Sequence, residues 1–224
     1  MYSLKKKTAI LTLAAGLTLG LAACGSNEEA TTGTAGSGAS AAPSPVAALD
    51  SLTGDSTAVE LDPGFLAGLT ALKLAPATIG GATLTGATLS FPITGGNATY
   101  YTPGPKTPYV ESTINHDGSG LQLTGANGKV VKLENFVVDA GKSELTGKVT
   151  VDGKVFAESA PLFFLDGSTL KPLDTATAGK GILAGTTVSL TKNAADALNA
   201  TFETDALAEY FKVGVATITL DLGA

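Results

Sequence analysis

After about Val46 the chain alternates apolar and polar residues in short runs, the period-two pattern of strands with one buried face. Val130–Val138 reads Val-Val-Lys-Leu-Glu-Asn-Phe-Val-Val, and Glu144–Val151 reads Glu-Leu-Thr-Gly-Lys-Val-Thr-Val. Asp139-Ala140-Gly141-Lys142 separates them as a turn cluster, so the two predict a hairpin. Asp152-Gly153 predicts a second hairpin into Lys154-Val155-Phe156, and Asn127-Gly128 a third between Gly120–Thr124 and Lys129–Leu133. Val213–Leu222 reads as a closing strand. With 28 glycines and 10 prolines dispersed among short segments, the pattern predicts a mainly β domain, an antiparallel β-sandwich or barrel.

Two short helices interrupt it. Thr57–Leu61 leads through Asp62-Pro63 into Phe65, Leu66 and Leu69, and Thr186–Leu190 leads through Thr191 into Ala194, Ala195 and Leu198. Asp62 and Thr191 are N-cap residues by type, and Pro63 suits the first helical position. Aligned on Val59 and Val188, the segments echo each other as strand, cap and helix. The echo predicts two equivalent units bracketing the central hairpins as a pseudo-symmetric pair of edges.

The first 45 residues follow different rules. Lys5, Lys6 and Lys7 precede an uncharged, mostly apolar run from Thr8 to Leu21, too short for a stable membrane-spanning helix. It ends in Leu21-Ala22-Ala23-Cys24, which resembles the bacterial lipobox. That resemblance implies a signal peptide over residues 1–23, removed once Cys24 has received a lipid. Residues 24–45, rich in Ser, Thr, Gly and Ala and closing with Pro43-Ser44-Pro45, cannot bury enough surface to offset their ordering entropy. They read as a flexible tether, and residues 46–224 as the extracytoplasmic domain. Together these features place the protein in the cell envelope, anchored to the membrane through its lipid.

Composition then limits the partners. Cys24 is the only cysteine, so no disulfide staples the domain, and its core must hold it together. The chain has no arginine; loss of the leader's three lysines leaves 11 against 20 acidic residues, a net charge near −9. Such a surface is a poor match for nucleic acid.

Catalysis needs convergent titratable groups, and few are present. His116 is the sole histidine, and no Gly-x-Ser-x-Gly elbow accompanies it. One histidine and one lipidated cysteine make no conventional zinc set. Asp117-Gly-Ser and Asp166-Gly-Ser lack the spaced acidic run of a calcium loop and read as tight turns. No metal site and no catalytic residue is assigned, and a non-enzymatic role is expected.

Phe91–Leu123 is the segment best suited to binding. It carries Tyr100-Tyr101, a Pro/Gly-rich loop from Pro103 to Pro108, Tyr109, and Ile114–Leu121 around His116. Tyrosines beside such a loop supply contact area at low entropic cost, which makes Tyr100, Tyr101, Tyr109 and His116 the candidate ligand-binding residues. A second reading places Tyr100 and Tyr101 on opposite faces of one strand, one of them simply packing inward.

Phe91-Pro92, His116-Asp117-Gly118 followed by Leu121, Leu145-Thr146-Gly147 and Leu190-Thr191 occur in an order that resembles the HtaA domain of bacterial surface haem-uptake proteins. The resemblance implies haem as ligand, its iron held by a tyrosine and that tyrosine hydrogen-bonded by a histidine, for which His116 is the matching position. The early segment expected to supply the iron ligand has Phe65 and no tyrosine, so Tyr100, Tyr101 or Tyr109 would have to serve. Three functions follow: a non-catalytic module for a surface ligand or protein, an HtaA-like haem-binding lipoprotein, or a purely structural envelope protein.

Overall fold

The structure, a computed structural model, describes residues 42–222; the leader, Cys24 and the tether up to residue 41 lie outside the described residues. The elements run β1 (Pro45–Leu49), β2 (Gly54–Leu61), α1 (Pro63–Ala71), β3 (Ala75–Gly80), β4 (Thr83–Thr85), β5 (Thr88–Pro92), β6 (Gly95–Tyr101), β7 (Val110–Thr124), β8 (Val130–Asp139), β9 (Glu144–Val151), β10 (Lys154–Asp166), a 3₁₀ turn (Gly167–Thr169), β11 (Lys180–Leu190), α2 (Lys192–Phe202) and β12 (Lys212–Asp221). All described strands join one antiparallel sheet in the order β1-β6-β7-β8-β9-β10-β11-β12-β2-β5-β4, with β3 added to β7. The sheet curls on itself as a half-barrel, the barrel-like form of the expected fold. The first strand begins at Pro45, whose partner is Tyr101.

The three hairpins form where the turn residues place them, linking β7 to β8, β8 to β9 and β9 to β10. The imperfect alternation of β8 has a local cause. Val131 and Leu133 point inward, Asn135 adopts φ 54°, and Phe136 and Val138 point inward again, so one residue is spent on a bulge. β7 shifts register at the same level, between His116 and Gly120. The Asn135 Oδ1 accepts from the Gly118 N–H at 2.9 Å, locking the two bulges together. Gly147 on β9 leaves room for the Phe136 ring, which a Cβ there would meet at 2.9 Å. Phe136 in turn packs edge-on against Phe91, with ring centroids 5.2 Å apart.

Both helices are capped as expected. Asp62 accepts from Gly64 N–H at 2.8 Å, and Thr191 accepts from Ala194 N–H at 3.2 Å. The echo is structural: Val59, Leu61, Phe65 and Leu69 are buried, and so are their counterparts Val188, Leu190, Ala194 and Leu198. The units are not edges, however. β2 and β11 lie on either side of β12, both antiparallel to it, so they run parallel to each other and send their helices off the same end. The reason is burial: strands carrying inward-facing Val and Leu on one face and a helix at their end gain most in the middle of the sheet, where both backbone edges are paired. No helix among the described residues is long and apolar enough to cross a membrane.

Candidate functional site

β7 sets the inner wall. Its alternation turns Val110, Ser112, Ile114 and His116 to one face, and beyond the bulge Leu121 and Leu123 resume it. Facing residues of β2, β5, β8, β10, β11 and β12 complete a cavity of about 570 Å³. One end is framed by the Pro103–Pro108 loop, Ala140, Ser143 and Asp166–Ser168; the other is closed by Phe65 and Leu198 of the two helices. The interior is lined by aliphatic side chains with Phe91 and Phe136, and its only charged lining residues, Lys106 and Asp166, stand at the rim. Such a volume lies within the ~300–1,000 Å³ range of ligand pockets.

His116 sits in this wall and is 1% exposed. Its Nδ1 lies 2.9 Å from the Pro92 carbonyl oxygen, which can only accept, so Nδ1 carries the proton. The Nε2 then accepts from the Thr57 hydroxyl at 3.1 Å. Burial pushes the imidazole below its ordinary range, against the pull of the Pro92 carbonyl and the neighbouring Asp117. His116 thereby joins β7 to β2 and β5 at the level where β6 has ended and β3 has not begun. Thr94 reinforces this junction, its N–H and hydroxyl donating to the Asn115 carbonyl at 2.8 and 3.0 Å.

The tyrosines do not converge on the histidine. Tyr100 points inward and is buried in a second apolar cluster with Val110 and Leu183, where its hydroxyl accepts from Leu173 N–H at 3.2 Å. Tyr109 packs edge-on against it at 5.9 Å and donates to the Leu170 carbonyl at 3.1 Å. Burial, then the neighbouring Tyr100, raises the Tyr109 phenol above its usual range. Tyr101 lies on the opposite face, its ring 3.7 Å beneath the Lys106 ammonium and its hydroxyl donating to Glu111 at 3.4 Å. Tyr101 and then Glu111 hold the Lys106 pKa up. Of the four candidates, the cavity brings together Tyr109 and His116.

The donor set implied for haem is therefore not assembled. The hydrogen-bond partners of His116 are Thr57 and the Pro92 carbonyl, no tyrosine is among them, and each candidate hydroxyl already has a partner. Nor do a serine hydroxyl and a carboxylate meet at the imidazole, because Thr57 and Pro92 occupy both nitrogens. Sequence reading did not single out Thr57 or Ser112. The period of β7 placed Ser112 on the His116 face, whereas nothing local signalled Thr57, which arrives from β2.

No family model and no curated protein matches the chain. Among solved structures, the C-terminal domain of HtaA from Corynebacterium glutamicum superposes with a TM-score of 0.52 at 14% identity, over 79% of this chain and 99% of that one. The haem-binding protein HtaB from the same organism gives 0.43 at 15% identity, over 76% and 94%. The described β domain thus has the fold of the HtaA C-terminal domain, reached with little shared sequence.

Proposed function

We propose that this chain is a membrane-anchored extracytoplasmic lipoprotein, tethered through Cys24, whose β domain holds a small ligand inside the barrel without catalysing its conversion. The observation that carries the reading is the cavity: about 570 Å³ of apolar space reaching from an uncovered rim to the helix end. A purely structural domain gains nothing from such a void, since each lining group forfeits packing contacts. The leader and lipobox support the anchor, and the satisfied hydrogen bonds of His116 support a binding role over a catalytic one.

The mature chain carrying Cys24→Ser should light up diphenylhexatriene, a slender dye fluorescent only in apolar surroundings, with saturation at one site. Ser112→Phe and Ala140→Phe, which add bulk at two depths of the cavity, should each abolish that signal. Persistence of the signal in both variants would place the dye on the surface and remove the reading. For the anchor, a labelled fatty acid should enter the wild-type protein and not Cys24→Ser.

Haem binding is the second reading, favoured by the fold shared with the HtaA C-terminal domain. It requires a tyrosine to leave its present partner. A haemin titration followed in the Soret region tests it directly.

A further inference from the structure

We infer that the ligand is a long aliphatic chain drawn from a lipid, held lengthwise in the barrel with its polar head left at the rim; the inference rests on the cavity reading above. Three observations carry it, of which shape is the first. The inward stripe of β7 from Val110 to Leu123 covers about 44 Å of strand at ~3.4 Å per residue, or roughly 35 Å of depth for strands tilted by about 40°. The cavity follows that stripe from the rim to Phe65 and Leu198 at the helix end, an elongated shape that suits an extended chain.

The second observation is chemistry. Ser112, Thr186 and the hydrogen-bonded groups Thr57, His116 and Tyr109 are the few polar features along an interior otherwise lined by aliphatic and phenyl groups. Nothing inside would satisfy a charged or multiply hydrogen-bonding ligand, which rules in hydrocarbon. At the rim, Lys106 is already engaged by Glu111 at 3.1 Å, Asp166 accepts from Ser168 N–H at 2.8 Å, and Thr107, Ser143 and Ser168 add uncharged polar groups.

The third is position. The chain enters the domain at Pro45, which pairs with Tyr101, and Tyr101 N–H donates to the Tyr109 carbonyl at 2.7 Å. Those two tyrosines bound the Pro103–Pro108 loop that frames the opening. Pro45, the first residue of β1, therefore lies beside the cavity mouth, so the described domain begins at its opening.

The test is displacement of bound diphenylhexatriene from the mature Cys24→Ser chain by saturated fatty acids and fatty alcohols of graded length. Potency should rise about three- to fourfold per methylene and then level off once the barrel is filled. Acid and alcohol of equal length should compete alike, because the interior holds no counter-charge. Ser112→Phe and Ala140→Phe, checked for fold by circular dichroism, should each bind a radiolabelled fatty acid directly at least about tenfold more weakly than the parent chain. If the dye binds but no chain displaces it, the cavity stands and the aliphatic ligand falls; if the dye never binds, the cavity reading itself falls. The lipidated wild-type chain, freed of detergent, separates the sources. Refusal of dye there, with uptake by Cys24→Ser, assigns the occupant to the protein's own anchor; uptake by both assigns it to a free lipid.

Discussion

Thr57 on β2 and His116 on β7, 59 residues apart in sequence, meet through a 3.1 Å hydrogen bond inside the barrel. With the Pro92 carbonyl on the other ring nitrogen, the imidazole replaces a stretch of missing backbone ladder by two side-chain bonds. His116 thus braces β7 against β2 and β5.

This brace makes stability depend on pH. The folded imidazole titrates below its ordinary range because it is buried, while the unfolded chain protonates near pH 6.5. Below about pH 6.5 the unfolded state takes up the proton first, and stability falls by up to ~1.4 kcal/mol per pH unit until the folded ring also titrates. Urea melts at pH 7.5 and 5.5 should show that loss, and His116→Ala should flatten it. At pH 7.5 the same substitution should cost about 1–3 kcal/mol by leaving buried partners unpaired.

The two caps act alike. Asp62→Ala and Thr191→Ala should each destabilise the domain by about 1 kcal/mol, read as a lower urea midpoint with an unchanged slope. A change confined to one of them would break the equivalence of the two strand–helix units.

The tyrosine hydroxyls separate packing from iron binding. Tyr100→Phe removes the acceptor for Leu173 N–H and should lower stability by about 1 kcal/mol. Under the aliphatic-ligand reading it leaves haemin spectra at those of the free compound, as in wild type. A saturable Soret shift in wild type that disappears in Tyr100→Phe, Tyr101→Phe or Tyr109→Phe would instead establish haem as the ligand.

At the β9–β10 hairpin, Phe156 is 72% exposed and Val155 is 49% exposed. Phe156→Lys should leave the thermal midpoint within the range of a neutral surface change, about ±0.5 kcal/mol. Its retention on a hydrophobic-interaction column should drop. A marked loss of stability would mean that the ring packs against something in the folded protein.

The parts legible from sequence are those specified within a few residues. Asp62-Pro63, Thr191 and Asp152-Gly153 carry their geometry with them, and the caps and the hairpin stand where they were expected. The sidedness of Tyr100 and Tyr101 followed from strand period alone. What could not be read is non-local: Thr57 comes to His116 from β2, and Tyr109 and Tyr100 turn to Leu170 and Leu173, beyond β10. The cavity was equally hidden, because an alternating strand lining a void has the same pattern as one lining a filled core. Asn135 marks the intermediate case, a polar residue inside an apolar run whose bulge is evident only once Gly118 is seen to bond to it.

The central place of β12 has a consequence for how the domain is made. β2 is among the first strands synthesised, and its partner β12 is the last; Leu61 pairs with Gly214 across most of the chain. Until the final residues emerge, β2 and β11 each lack the neighbour between them, and neither capped helix has its full floor. Closing so long a loop costs entropy before any contact offsets it, so this topology folds late and slowly. A chain that cannot complete its half-barrel before β12 is available remains threadable until then, which would suit the export proposed for it.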